Sequence, residues 1–242
     1  MTDMRFDIMT LFPDLVLGIL GESIIGRAQK AGHISVHAHN IRDFANNKHR
    51  KVDDTVYGGG FGMLMMAPPV CDCFDAVKGE VAAELGENAK SKVIYMSPQG
   101  KVLTQKKAEE LAEYDNLIII CGHYEGIDAR ALEEIAPEEI SIGDYVLTGG
   151  ELPACVLIDC VSRLKDGVLS DKKCYEEESI SSGLLEYPQY TRPYEFHGVK
   201  VPDVLISGHH ENIDKWREER SREITERSRP DLYEEYLRNG KN

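Results

Sequence analysis

Apolar residues fall into short blocks along this chain, and the period within each block predicts its element. Arg5 to Leu11 and the half-alternating Ile34 to His39 are predicted strands. Pro13 and Asp14 open a predicted helix whose apolar face would be Leu15, Ile19 and Leu20. Helical spacing returns from Pro69 to Leu85, a strand follows at Val93 to Met96, and Thr104 to Ala112 is helical. Leu117, Ile118, Ile119, Ile120 and Cys121 form an unbroken apolar run, which belongs in the middle of a parallel sheet covered on both faces. Asp128 to Ile135 is predicted helical, Glu138 to Ile142 a short buried strand, and Glu151 to Leu164 a further helix. Strands alternating with helices give an α/β fold with a mostly parallel sheet. From Lys165 to Tyr190 the periodicity gives way to a polar, Ser- and Glu-rich connection, and connections of that length are usually functional or disordered. Beyond it, Val201 to Gly208, Glu211 to Arg227 and Pro230 to Arg238 predict a small helical module.

In parallel sheets chemistry gathers at the carboxyl ends of the strands. Turn residues mark the predicted strand ends at Tyr-Met-Ser-Pro-Gln-Gly (95 to 100), Cys-Gly-His-Tyr-Glu-Gly (121 to 126) and Ser-Ile-Gly-Asp-Tyr-Val-Leu-Thr-Gly-Gly-Glu-Leu-Pro (141 to 153). In the last, Gly143, Gly149 and Gly150 permit close backbone approach, and Tyr145, Val146 and Leu147 offer an apolar wall with one phenol. That make-up suits a flat heterocycle held by main-chain hydrogen bonds. The competing reading is that all are plain strand-to-helix turns. The dinucleotide fingerprint G-x-G-x-x-G is missing after the first strand, where Thr10-Leu11-Phe12-Pro13 stands, so a nucleotide-like ligand would sit late in the domain.

The segment from Lys48 to Met63 sets Lys48, His49, Arg50 and Lys51 beside a glycine run. Such a segment could meet phosphates and lie close to a backbone or base, or it could be a surface loop. No Gly-Lys-Ser/Thr follows the glycines, which excludes a P-loop.

Composition changes this picture in one respect. The 242 residues carry a net charge of -14, the wrong sign for a simple nucleic-acid binder. Residues 1 to 170 hold 16 Lys and Arg against 26 Asp and Glu, whereas residues 200 to 242 hold 9 against 10. Any polyanion must therefore be met by local patches, and Trp216, Arg217, Arg220, Arg222, Arg227 and Arg229 mark one candidate. Five acidic residues interleave from Glu211 to Glu223, so internal ion pairs on a solvated helix compete with that reading. The length suits one large domain, or a domain of about 160 residues followed by a smaller one. Six cysteines at 71, 73, 121, 155, 160 and 174 lack zinc or disulfide spacing, which favours reduced thiols. With no leader and no apolar run long enough for a span, a soluble cytoplasmic protein is expected.

Taken in order, seven motifs resemble the bacterial tRNA (guanine-37-N1)-methyltransferases, the TrmD type of the SPOUT superfamily. They are Thr10 to Pro13, His49 to Met66 with Val-Asp-Asp-x-x-Tyr-Gly-Gly-Gly, Ser97 to Gly100, Tyr124 to Asp128, Ser141 to Pro153, Leu157 to Arg163, and Gly183 to Pro193. The resemblance implies a deep trefoil knot in the α/β domain, a feature that periodicity cannot reveal and the general rule disfavours. It further implies a knotted catalytic domain over residues 1–164, a linker over 165–190 and a C-terminal helical tRNA-binding domain over 191–242. The expected assembly is a homodimer with composite active sites. S-adenosylmethionine would be held by Tyr95, Met96, Ser97, Pro98 and Gln99, by Gly122, Tyr124, Glu125 and Gly126, and by Ser141, Ile142, Gly143, Asp144, Tyr145, Val146, Leu147, Gly149 and Gly150 with Pro153. A tRNA with guanosine at positions 36 and 37 would meet His49, Arg50, Lys51, Asp53, Gly58 and Gly59.

Guanine N1 becomes a good nucleophile only as its proton leaves, so a base must take that proton while a cation holds the charge growing on O6. The resemblance gives these catalytic roles to a linker carboxylate, Glu178, and to Arg163. Here the chain departs from the family, which commonly has Asp-Ser-Phe where this chain has Glu178-Ser179-Ile180. Glu is one methylene longer, about 1.5 Å of extra reach; Glu177 is the alternative register. A free Glu titrates at about 4.3, and desolvation under a closed linker would raise it. A second departure is His123, where the family often has Arg. The family is associated with Mg2+, which Asp53, Asp144 and Glu178 could attract, although no ligand spacing demands a bound metal. The rival readings are a knotted ribose 2′-O-methyltransferase, which needs no base at a nucleobase edge, and a non-catalytic RNA-binding module.

Overall fold

The computed structural model describes residues 4–170, 179–180 and 183–240, so Glu177 and Glu178 lie outside the described residues. The chain divides into two units, Met1–Ser170 and Asp171–Asn242.

The first unit is built on five parallel strands in the order β2-β1-β6-β5-β7: β1 (Met4–Thr10), β2 (Ile34–Asn40), β5 (Ser91–Val102), β6 (Asn116–Cys121) and β7 (Glu138–Ser141). A separate antiparallel hairpin joins β3 (Asp53–Thr55) to β4 (Met63–Met65). Because successive strand side chains point to opposite faces, the two covering layers can be read directly. Phe6, Ile8, Leu117 and Ile119 pack under α1 (Pro13–Leu20), α2 (Ser23–Ala31), α4 (Gln105–Ala112) and α6 (Glu151–Ser162). Met9, Ile118 and Ile120 pack under α3 (Ala67–Leu85) and α5 (Ala129–Ile135). As expected of the Ile-rich run, β6 is buried throughout and lies between β1 and β5.

Two expectations need correction. The helix opened by Pro13 buries Val16 and Leu20, while Leu15, Leu17 and Ile19 are 47%, 40% and 44% exposed, so its inner face is turned from the one the spacing suggested. Nor does the strand begun at Val93 end at a turn after Met96. It continues to Val102, with a register shift against β7 between Met96 and Lys101, so that Ser97 to Gly100 bulge out of a continuing strand. Gly100 makes this possible, because a Cβ there would collide with the Glu139 backbone.

In the second unit, helices Asp203–Ile206, His210–Ser228 and Pro230–Arg238 follow a minimal hairpin of Glu195–Phe196 with Val199–Lys200. Thr225 ties this unit together: its buried hydroxyl accepts from the Leu185 amide (2.8 Å) and donates to the Ser221 carbonyl (2.6 Å). Much of the cationic helix is internally paired, with Arg220 on Glu223 (2.6 Å), Arg222 on Glu218 (2.8 Å) and Arg217 stacked over Tyr187 (4.9 Å).

Candidate functional site

The bulged stretch Tyr95 to Gln99 within β5 and the loops that leave β6 and β7 at their carboxyl ends line one cavity of about 360 Å³. A volume of this size falls within the range of small-molecule sites. Every residue assigned to the cofactor on sequence grounds borders it except Asp144, which is exposed on the last loop but outside the lining. His123, Ile127, Leu132, Glu139, Ile140 and Thr148 complete the wall and were not among the assigned residues. Glu139 stands two positions before Ser141 on β7, so strand alternation was a signal that could have found it.

Glycines let the segments around the cavity pack closely on one another. A Cβ on Gly122 would come within 2.8 Å of the Tyr95 hydroxyl, and one on Gly150 within 2.7 Å of the Cys121 Cα. The Gly150 amide donates to the Gly122 carbonyl (3.0 Å), and His123 and Gly149 form an antiparallel bridge, so the β6 loop and the start of α6 are stitched together. Tyr124 adopts a left-handed backbone (φ 60°), and Gly126 continues the turn at φ 112°.

One buried carboxylate braces this junction. Glu151, 2% exposed, accepts from the Thr10 hydroxyl (2.7 Å) at the end of β1 and pairs with His123 Nε2 (3.0 Å). The Phe12 ring lies 4.8 Å from the imidazole, centroid to centroid. Thr10, Phe12, His123 and Glu151 thereby bind three distant stretches of sequence at the cavity's rim. Burial pushes the Tyr95 phenol and, much further, the Cys121 thiol above their ordinary values, so both stay neutral beside the cavity. Cys71, Cys73, Cys121, Cys155 and Cys160 are free thiols.

The hairpin β3–β4 docks onto the same β6 loop. Glu125 N–H donates to the Met63 carbonyl (2.9 Å), Met65 N–H to the Gly126 carbonyl (3.0 Å) and Asp128 N–H to the Met65 carbonyl (2.9 Å). Asp53 begins this hairpin, Gly58 and Gly59 lie at its tip, and the exposed His49, Arg50 and Lys51 precede it. Arg50 pairs with Asp43 (2.9 Å) and Lys51 with Asp54 (3.2 Å). Arg163 is half-buried just beyond the last turn of α6 and does not line the cavity. Among the described residues no group of three His, Cys, Asp or Glu could hold a metal ion, and no helix is long and apolar enough to cross a membrane.

A parallel α/β sheet with a cavity at its carboxyl edge puts the chain in the class of α/β proteins whose ligand sites form where the strands end. Comparison with known proteins narrows that class. The family described as tRNA (Guanine-1)-methyltransferase TrmD matches residues 4–235, and the chain belongs to this methyltransferase family. Relatives named tRNA (guanine-N(1)-)-methyltransferase include one from Lachnospira eligens, 59% identical over 97% of both chains. Another, from Ruminiclostridium cellulolyticum, is 60% identical over 95% of this chain and 96% of its own. The Clostridioides difficile relative is 52% identical over 95% and 97%.

Proposed function

We propose that the chain transfers the methyl group of S-adenosylmethionine to N1 of guanosine 37 in the tRNA anticodon loop. The observation that carries this reading is one cavity shared by the β5 bulge and the loops after β6 and β7, in a chain of the TrmD family. Its lining suits the methyl donor. Ile127, Leu132, Ile140, Val146 and Leu147 can pack on the faces of an adenine ring, and the carboxylates of Glu125 and Glu139 suit a cationic ligand. When bound, S-adenosylmethionine supplies an electrophilic methyl group, and the protein's remaining work is alignment and proton handling.

That work falls to Arg163 and Glu178. The Arg163 guanidinium would hold the charge growing on guanine O6, and the Glu178 carboxylate would take the N1 proton. Pro153 borders the cavity and Arg163 stands ten residues further along α6, about 15 Å by helix rise. One side chain does not bridge that gap, which supports a homodimer whose active sites draw on both subunits. The exposed Leu15, Leu17 and Ile19 of α1, beside Leu152 and Val156 on the adjoining α6, offer an apolar face suited to a second copy.

The same reading includes a trefoil-knotted domain over 1–164, a linker over 165–190 and a tRNA-binding domain over 191–242. It also places His49, Arg50, Lys51, Asp53, Gly58 and Gly59 against the tRNA, in the cytoplasm, with Mg2+ as a candidate aid to the catalytic step. The test is nucleoside mass spectrometry on an unmodified tRNA transcript with guanosine at positions 36 and 37. We expect 1-methylguanosine with the native chain and its loss with Glu178→Ala. A 2′-O-methyl nucleoside would overturn the reading, as would cofactor binding without turnover.

A further inference from the structure

The most exposed aromatic side chains of the first unit stand together on the β3–β4 hairpin. Phe61 is 100% exposed and Tyr57 96%. A protein ordinarily buries such rings or spends them on contacts made with another molecule. Between them Gly58, Gly59 and Gly60 all have positive φ (87°, 81° and 146°), and no heavy atom would stand within 4 Å of a Cβ at any of the three. The rings are thus separated by bare backbone, leaving room for a flat group to approach.

The tip is held beside the cavity by more than chain continuity. Gly62, next to Phe61, sits so close to Glu125 that a Cβ would come within 2.5 Å of its carboxylate, and Glu125 borders the cavity. Backbone hydrogen bonds from the β6 loop fix the hairpin's other end. Of the basic residues just upstream, Lys48 is exposed and makes no ion pair among the described residues, so positive charge is available to a phosphate backbone.

We propose that Phe61 and Tyr57 form a stacking platform for an unpaired nucleobase of the tRNA loop that delivers its guanine to the cavity. This rests on the proposed methyltransferase reading and adds a recognition element to it. Single-stranded bases splayed from a loop are the nucleic-acid groups that stack on aromatic side chains, and stacking tolerates any base because every base has a π face. A second copy of this chain is the alternative occupant, but an interface between copies would gain from apolar side chains at the tip where this one has glycine.

The experiment measures binding of a fluorescently labelled, unmodified tRNA transcript to the full chain, together with methylation by each variant. Phe61→Ala should weaken tRNA binding about 5- to 150-fold, the range expected for loss of one stacked base. Phe61→Leu, which keeps apolar bulk without a π face, should remain weak, and Phe61→Trp should restore binding. Affinity for S-adenosylhomocysteine should stay within twofold throughout. An abasic nucleotide placed in turn at each unpaired loop position should weaken binding to the native chain at the stacked position and cost nothing further in Phe61→Ala. Native tRNA affinity in Phe61→Ala and in Tyr57→Ala overturns the proposal. So does a loss in Phe61→Leu that Phe61→Trp fails to rescue, or a loss that follows dissociation of a self-assembled species in sedimentation. Absence of 1-methylguanosine with the native chain would instead count against the methyltransferase reading, and the binding arms would still judge the platform.

Discussion

Gly150→Ala tests the cavity more sharply than removal of any side chain. Gly150 has φ -82° and ψ -6°, a conformation open to any residue, so the substitution introduces no backbone strain of its own. Its effect is steric. The new Cβ would lie 2.7 Å from the Cys121 Cα, 3.1 Å from the Cys121 Cβ and 3.1 Å from the Gly122 amide nitrogen. Restoring ordinary contact at 3.4 Å requires the end of β6 and the start of α6 to part by about 0.7 Å. Overpacking of this kind costs about 1–3 kcal/mol, less the ~0.4–1 kcal/mol regained because Ala restricts the unfolded chain. The corresponding fall in Tm is about 2–4 °C per kcal/mol for a chain of this size.

The larger effect should be on the ligand. The displaced segment includes the Gly150-to-Gly122 hydrogen bond and backbone beside the cavity, so the segments that would hold the ligand move apart. We expect S-adenosylhomocysteine affinity by titration calorimetry to fall about tenfold, the equivalent of one or two lost hydrogen bonds, with a modest fall in Tm. Native affinity and native Tm in the same variant would refute the steric argument. Gly79→Ala is the control. Gly79 lies inside α3 with nothing within 4 Å of its Cβ position, so the exchange should stabilise the chain by about 0.5–1 kcal/mol and leave the ligand untouched.

Further expectations concern the remaining chemistry and the core. Arg163→Lys should lower kcat by about 10²- to 10³-fold, the scale of one lost charge-stabilising donor, with cofactor affinity unchanged by calorimetry. Burial raises the Asp7 carboxyl, but hydrogen bonds from His39 and Arg5 and the Arg5 charge outweigh it and hold the group below its ordinary 3.8. A depressed carboxylate stabilises the fold above its unfolded value, so this contribution should be present above pH 3.8 and vanish as pH falls through the lower folded value. Asp7→Asn should abolish that acid-limb dependence in denaturant titrations and destabilise the chain by less than the ~3–5 kcal/mol of a fully orphaned buried charge, because Arg5, 2% exposed, loses Asp7 but keeps Glu84 and Glu80. Burial pushes the thiols of Cys73 and Cys155 up to about 12 and about 11, so alkylation of the native protein at pH 8 should spare both.

The sheet was legible because burial on both faces writes itself into composition: nothing in the Leu117 to Cys121 run could face water. Helix starts were legible where a cap or proline announces them, as at Thr104, whose side chain accepts from the Lys107 amide, and at Pro13. Pairing between distant segments left no local trace. The β3–β4 hairpin was read only as a basic, glycine-rich loop, since strands of three residues are too short for a period to show and their partner, the β6 loop, lies some 60 residues on. Glu151 resembled an ordinary first-turn acidic residue, and only the tertiary fold brings Thr10 and His123 to it. Helix α2 was missed because its polar residues outweigh the buried Ile25 and Ala28, and Gly26, packed on the Gly21 carbonyl, lowers its helical propensity. The loops of the site were visible as turn chemistry, but the bulge of Ser97 to Gly100 was not, because a strand that resumes after four residues looks like two elements.

On the proposed reading, helix α6, which starts against the cavity and stops at Ser162 just before Arg163, is a gauge of fixed length and phase. Each residue of α-helix advances about 1.5 Å and turns about 100°. Inserting a single residue beyond Ile158 would leave every named side chain present and swing the guanidinium onto a different face of the rod. Tolerance in this segment should therefore be lopsided, generous toward substitution on its outer surface and closed to any change in count.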